Sequence, residues 1–129
     1  MKKEIIIIIT IIITIIIAHA ISQNYVLKFF KSISDDLDII QEKIMSEEYE
    51  QEGLKKDINS IQKKWNEKYD IFACFVEHDE LEKVQTQLIS IEANIKVEDY
   101  DKSVDEIERC KFILKHIEEK DSFKIVNIF

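Results

Sequence analysis

Histidine and carboxylate side chains stand at two places that a helical hairpin could bring to one end. The first is Glu77-His78-Asp79-Glu80, and the second is His116 with Glu118 and Glu119. Imidazole and carboxylate groups together can hold zinc and other divalent ions. Helical phase turns His116 away from the core stripe of its own helix, and capping or solvated charge accounts for the same residues. The sequence therefore predicts no metal centre and no cofactor, and the metal candidates to examine are His78, Asp79, Glu80, His116 and Glu119.

The two cysteines are the next candidates for chemistry. Cys74 and Cys110 lie far apart, without a CxxC or a zinc-finger spacing. Catalysis by a thiol needs an adjacent base, and no histidine is placed to serve either cysteine. Cys110 falls on an apolar stripe and Cys74 does not, so we expect two unpaired thiols, although an exported domain would permit a disulfide. The sequence predicts no catalytic residue, and we expect the chain not to be an enzyme.

The elements that would position these side chains are helices. The chain of 129 residues contains one glycine, Gly53, and no proline. Tight turns rely on residues that tolerate or preset unusual φ angles, so this composition excludes β folds with many turns. A formal net charge of −8 gives a surface that repels nucleic acid and anionic headgroups. We therefore expect no nucleic-acid partner.

Residues 1–24 are predicted to be a membrane anchor. After Met1-Lys2-Lys3-Glu4, the segment from Ile5 to Ile21 contains no titratable side chain except that of His19. As a helix, this segment spans about 25 Å, slightly short of a ~30 Å hydrocarbon core, and Tyr25 suits the interfacial belt. The lipid bilayer is thus the first expected partner. The residues that mark the anchor are Ile5, Ile9, Ile13, Ile17 and Ile21.

A cleavable signal peptide is the competing interpretation of the same segment. Ala18-His19-Ala20 has the A-x-A form of a cleavage site, and cleavage after its last alanine would release a secreted domain. The amphipathic pattern continues past this site without a break, which favours an uncleaved single-pass anchor. Lys2 and Lys3 favour a cytoplasmic N-terminus, although Lys28 and Lys31 nearly balance them. We expect a cell-membrane protein whose C-terminal domain lies outside the cytoplasm.

Residues 25–129 are predicted to form an all-α domain, an up-down four-helix bundle. The anchor would continue directly into the first helix as a stalk. We predict Ser46 and Asp79 as N-caps of the second and third helices, a second helix that ends near Val76, and a turn at Val97-Glu98-Asp99. Apolar residues that step by three and four define the expected core stripes: Val26, Phe30, Ile33, Leu37, Ile40 and Ile44; Leu54, Ile58, Ile61, Trp65, Tyr69, Phe72 and Val76; Leu81, Val84, Leu88, Ile91 and Ile95; Ser103, Ile107, Cys110, Leu114 and Ile117.

The bundle could consist of two tandem helix hairpins. A shift of 51 positions aligns the first and third stripes, and it also aligns Glu48-Tyr49-Glu50 with Asp99-Tyr100-Asp101. Such a pair loosely resembles tetratricopeptide units, while an ordinary up-down bundle is the alternative. The match stops after the first turn of the even helices. Both arrangements predict the same fold class.

Two apolar features could bind a partner instead of filling the core. Trp65, Tyr69, Phe72 and Phe75 lie at helical spacing, and either they pack in the core or part of this face forms an interaction groove. The C-terminal residues are also unusually apolar. We expect them to dock on the bundle, although they could equally engage a partner: Phe123, Val126, Ile128 and Phe129.

Several segments together resemble a bacterial family known as domain of unknown function 4363. The resemblance is carried by the N-terminal apolar segment, the helix of Trp65, the segment from Phe75 to Leu81, the segment from Phe112 to Ile117, and Asn127-Ile128-Phe129. It spans nearly the whole chain. It implies a membrane-tethered helical protein of unknown activity. It also implies an accessory subunit, because genes of this family often neighbour genes for multi-pass membrane proteins. It brings no functional residues with it.

The function expected from these observations is binding. The first hypothesis is an accessory or scaffolding subunit of a membrane or envelope assembly, with another membrane protein or a second copy of the chain as its partner. The alternative is a secreted or tethered bundle that binds a small ligand or a metal ion. Co-purification from detergent would support the first hypothesis, and a soluble, cleaved, ligand-binding form would support the second.

Overall fold

The computed structural model describes the backbone of residues 1–128 and the side chains of residues 1–120. Four helices account for nearly all of it: α1 (Lys2–Met45), α2 (Gln51–Phe72), α3 (His78–Lys96) and α4 (Tyr100–Ile128). No strand occurs in the described part of the chain. The predicted all-α class is confirmed. The predicted docking of the apolar C-terminal residues lies outside the described side chains.

The four helices form a closed up-down bundle. Each helix packs against two neighbours, in the pairs α1–α2, α2–α3, α3–α4 and α4–α1, and neither diagonal pair of described helices comes into close contact. Short connections make successive helices antiparallel. Because α4 returns to α1, the arrangement is a ring of four helices rather than an open, tetratricopeptide-like array.

The core contains the predicted stripes. In α1 the side chains of Ile33, Leu37 and Ile40 are fully buried, and in α3 the same holds for Ile91 and Ile95. Burying such side chains contributes roughly 1.5–3 kcal/mol each, far more than the few tenths that isoleucine loses to alanine in helix propensity. Packing therefore decides the helical state of this isoleucine-rich chain. The remaining stripe positions are also buried, except for the half-buried Tyr69.

The prediction of Ser46 as an N-cap was wrong. Ser46 follows the end of α1, where its Oγ donates to the carbonyl oxygen of Lys43 at 3.2 Å. Glu47 then adopts the left-handed conformation, with φ 57°, which is a usual way of ending a helix. The extended residue that precedes α2 is Glu50, with no side-chain cap. A serine followed by acidic residues is therefore compatible with a helix end as well as with a helix start.

The boundary between α2 and α3 also differs from the prediction. Helix α2 ends at Phe72 rather than near Val76, and the residue before α3 is Glu77, so that Asp79 lies in the first turn and is not the cap. Val76 is nevertheless buried, and its backbone N–H donates to the carbonyl oxygen of Phe72 at 2.8 Å. Its apolar side chain continued the stripe beyond the helix, which is why periodicity placed the helix end too late.

The two distal turns, which join α1 to α2 and α3 to α4, support the hairpin repeat. Glu47 and Glu98 are 51 positions apart and both are left-handed, with φ 57° and 60°. The rings of Tyr49 and Tyr100, also equivalent at this shift, contact each other with centroids 4.9 Å apart. The turn between α3 and α4 is two residues shorter than the turn between α1 and α2, because α4 already begins at Tyr100. Helices α2 and α4 therefore align at a shift of 49 residues. This difference explains why the sequence match at a shift of 51 ends at the start of these helices.

Replacing Gly53 with alanine is expected to raise the free energy of unfolding by about 0.5–1 kcal/mol. Gly53 lies in the first turn of α2, and a Cβ built on it meets no atom within 4 Å, so the added methyl group has room. Urea denaturation of the purified chain measures the change. The matched control is Ala93→Gly, at an exposed position of α3, which should lower stability by a similar amount. A loss of stability in Gly53→Ala would contradict the open space seen here.

Candidate functional site

The first half of α1 extends beyond the bundle as an isolated apolar helix. This segment, residues 5–21, is called the apolar extension below. Its isoleucines are 40–66% exposed, and none of the most hydrophobic 18 residues is buried. By length and composition it is the one helix in the described part of the chain that could cross a membrane, a test that a signal sequence also passes. The marker residues are all among the exposed ones: Ile5, Ile9, Ile13, Ile17 and Ile21.

The backbone and hydroxyl groups of the apolar extension find their partners within the helix. Thr10 Oγ1 donates to the carbonyl oxygen of Ile6, and Thr14 Oγ1 to that of Thr10, each at 2.8 Å. Ser22 Oγ makes the same bond to Ala18. In a hydrocarbon medium every backbone and hydroxyl group has to find its partner inside the protein. This helix meets that requirement.

The apolar extension and the bundle share one unbroken helix. Gln23 and Val26 are the first buried residues of α1, and helical backbone continues without interruption from Lys2 through them to Met45. The structure therefore has the continuous stalk expected from the sequence. Ala18-His19-Ala20 lies inside this helix, immediately before the bundle begins.

The aromatic face of α2 belongs mainly to the core. Trp65 and Phe72 are 1% and 0% exposed, because α1 covers them: the ring centroid of Phe30 lies 5.8 Å from that of Trp65, and that of Phe29 lies 4.7 Å from that of Phe72. Aromatic pairs at these separations add to the stabilisation from burial. Tyr69 is half-buried. Trp65 and Phe72 are therefore core residues in this structure.

Phe75 is the exception on that face. It lies beyond the end of α2 and stays 43% exposed. Cys74, beside it, is exposed as well. Both residues belong to the turn between α2 and α3.

The metal candidates do not form a cluster. Among the described residues, no group of three or more histidine, cysteine, aspartate or glutamate side chains could hold an ion. His78 instead contacts Tyr69 through Nδ1 at 3.3 Å and Glu82 through Nε2 at 2.9 Å. Glu80 is largely buried and pairs with Lys83 at 3.4 Å. Asp79, His116 and Glu119 are exposed.

The two thiols occupy opposite environments. Burial raises the pKa of the Cys110 thiol to about 12, so that this thiol stays protonated at neutral pH. Cys110 is a core residue on α4, whereas Cys74 is exposed and its sulfur contacts the carbonyl oxygen of Asp70 at 3.6 Å. Both cysteines are free, in line with the two unpaired thiols expected from the sequence.

A maleimide is expected to modify Cys74 and spare Cys110 in the folded protein. The thiolate is the reactive form. The Cys110 thiol stays protonated and is buried, so the maleimide cannot reach it. Intact-mass measurement at mildly alkaline pH should show a single adduct, and a second adduct only after denaturation. In Cys74→Ser the folded chain should take up no label. Rapid double labelling of the folded chain would contradict the burial of Cys110.

Polar contacts between α1 and α4 set the register of the bundle. Lys111 Nζ lies 2.6 Å from Asp38 and 3.1 Å from Glu108, and the hydrogen bond to Asp38 raises the pKa of Lys111. Gln41 Nε2 donates to Glu108 at 2.7 Å, which lowers the pKa of that carboxyl. These groups pair with one another rather than present a free reactive end, and the arrangement indicates a structural role.

Phe112 is an exposed aromatic residue that the stripe analysis did not select. It is 72% exposed on the outer face of α4. It lines a cavity of about 380 Å³ between α1 and α4 with Phe30 and Ser34, and another of about 440 Å³ with Gln87 and Ile113. Helical phase could have predicted this exposure, because Phe112 lies midway between the core positions 110 and 114.

Comparison with known protein families identifies the family of this chain. The model of the family described as a domain of unknown function, DUF4363, matches residues 20–128. The match begins where the apolar extension meets the bundle, and it covers all four helices of the bundle. No curated protein and no solved structure matches the chain. The chain therefore belongs to the DUF4363 family, as its sequence resemblance indicated.

Proposed function

We propose that this protein is anchored in a membrane by the apolar extension and presents its bundle outside the cytoplasm to bind another membrane or envelope protein. The observation that carries the proposal is the exposed apolar extension. Its twelve exposed isoleucines each favour the membrane by roughly 0.3–0.6 kcal/mol at the helix centre. In water the same side chains would form a continuous apolar surface that soluble monomers avoid.

Binding to a protein is supported by the outer face of α4. Aromatic side chains are the usual anchors of protein interfaces, and Phe112 lies exposed between two grooves. Charged side chains of both signs line these grooves and form a polar rim of the kind that surrounds such anchors. A second copy of the chain is the simplest alternative partner.

Affinity capture from cross-linked membranes tests the binding role. The native chain should recover a distinct membrane or envelope protein, and Phe112→Ser should lose it while the circular dichroism spectrum is retained. Ile39→Ser, which changes an exposed isoleucine of α1, is the matched control and should keep the partner. Recovery of the chain alone would contradict the accessory-subunit role.

The topology is tested separately. The chain should stay in membranes washed with alkaline carbonate, and protease added outside sealed cells should digest the bundle. Intact mass should include residues 1–20. A mature form that begins after Ala20 would show that the segment is a signal peptide and that the domain is secreted.

A further inference from the structure

The turn between α2 and α3, residues 73–77, has a surface unlike that of the other turns. It is called the proximal turn below. Its sequence Ala73-Cys74-Phe75 is apolar, and the side chains of all three residues are exposed. Ile71, at the end of α2, is exposed as well. These side chains are turned to the outside at a place where a soluble domain normally has polar residues.

The register of α1 against α2 places the proximal turn level with the base of the apolar extension. Asp36 pairs with Lys64 at 3.0 Å and Lys43 pairs with Asp57 at 2.6 Å. The two helices are therefore antiparallel, and residues later in α2 lie beside residues earlier in α1. The rings of Tyr25 and Phe72 meet with centroids 6.4 Å apart. The residues just after Phe72 consequently lie beside the first buried turns of α1, next to the end of the apolar extension.

Helix α4 reaches the same end of the bundle. Lys120 Nζ lies 3.0 Å from Glu77 Oε2, at the close of the proximal turn. Tyr25, on α1, is 47% exposed, and Lys68 Nζ lies 6.0 Å from the centre of its ring. Exposed tyrosine next to a lysine is the combination found where proteins meet the headgroup region. The proximal turn, Ile71 and Tyr25 thus lie at one end of the bundle.

The opposite end of the bundle is richer in carboxylates. Met45 and Val97 are exposed there, but the two distal turns also contain five acidic side chains: Glu47, Glu48, Glu50, Glu98 and Asp99. Moving ionised carboxylates out of water is costly, so this end belongs in solvent. The distal end is therefore acidic, whereas the three exposed residues that open the proximal turn contain no carboxylate. The proximal turn lies at the end from which the apolar extension leaves.

We infer that the proximal turn rests in the interfacial layer of the same lipid bilayer that the apolar extension enters, which gives the bundle a second contact with the membrane. This inference rests on the proposed membrane anchoring. The contact is shallow, because Glu77 and His78 follow immediately and remain at the headgroup level. Phe75 and Ile71 enter the boundary between headgroups and acyl chains, where aromatic and aliphatic side chains partition favourably.

The native Cys74 provides the test, because the other thiol is buried. The full chain is labelled at Cys74 with an environment-sensitive fluorophore and reconstituted into phosphatidylcholine vesicles that contain a lipid spin-labelled near the headgroup. We expect a blue-shifted emission that the spin label quenches. The matched control has Cys74→Ser together with Ser46→Cys, which puts the same fluorophore at a distal turn, and it should not be quenched. Adding Phe75→Ser to the Cys74-labelled chain should weaken the quenching.

A second readout avoids the fluorophore. The rate at which Cys74 reacts with a charged, water-soluble maleimide should fall severalfold when the chain enters vesicles, while the thiol that Ser46→Cys introduces into the control should react at an unchanged rate. If the chain floats with the vesicles but Cys74 stays unquenched and reactive, the proximal contact is wrong and the anchor stands. A chain that does not float overturns both the inference and the proposed anchoring.

Discussion

The double substitution Ile9→Arg with Ile13→Arg is expected to remove the protein from the membrane fraction. Both isoleucines lie near the middle of the apolar extension and are about half exposed, so the bundle makes no use of them. An arginine at the centre of a spanning helix costs about 2.5–3.5 kcal/mol on the insertion scale. Two of them oppose insertion by several kcal/mol, enough to cancel the contribution of the twelve isoleucines. Carbonate-washed membranes should lose the variant.

Ile39→Arg is the matched control for this experiment. Ile39 lies on the same helix and is also about half exposed, but within the bundle. This variant should remain in the membrane, and both variants should retain the helical circular dichroism of the native chain. If the double-arginine variant stayed in the carbonate-washed membrane, the apolar extension would not be the anchor.

The second large effect is expected from Trp65→Ala, which should destabilise the bundle by about 3–5 kcal/mol. Trp65 is 1% exposed, and its ring lies within 6.4 Å, between centroids, of the rings of Phe29, Phe30 and Phe72. Alanine leaves a cavity where α1 and α2 meet, and such cavities relax only partly. Thermal unfolding followed by circular dichroism should show the midpoint falling by at least about 12 °C.

Trp65→Phe separates the loss of the ring from the loss of the indole N–H. Trp65 Nε1 is buried and has no hydrogen-bond partner among the described residues, so phenylalanine removes no native hydrogen bond. We expect this variant to lose only about 1–2 kcal/mol, mostly from the smaller ring volume. A Trp65→Ala variant as stable as Trp65→Phe would contradict the packing described here.

The core residues were predictable because the spacing of apolar residues along each helix is sufficient to identify them. Each stripe places an apolar side chain at every third or fourth residue, and helical geometry turns that spacing into one buried face. Cys110 and Ser103 were included for this reason and are indeed buried. Phe112 lies between the same stripe positions, so the phase that buries its neighbours also exposes it.

The helix ends were less predictable because several residue types serve more than one kind of turn. A serine such as Ser46 can lie at the end of one helix or at the start of the next. The left-handed conformation of Glu47, which is not a glycine, places Ser46 at the end of α1. Val76 kept the apolar period after the hydrogen-bond ladder of α2 had ended. The partners of His78 depended on a contact with Tyr69 across the turn, which spacing within one helix does not encode. The helix ends and the partners of His78 thus depend on capping and tertiary contacts, which the periodicity of the sequence does not contain.

Because α1 is one uninterrupted helix, the proposed membrane anchoring would make it a lever arm between the hydrocarbon region and the distal turns. Its bundle portion, residues 23–45, is roughly 33 Å long, so a change in tilt of ~10° at its base swings Met45 sideways by about 6 Å. Such a change could come from a thicker bilayer or from a neighbouring spanning helix. The position of the acidic distal end would then depend on the tilt of the spanning segment, and a protein bound beside that end would be displaced with it.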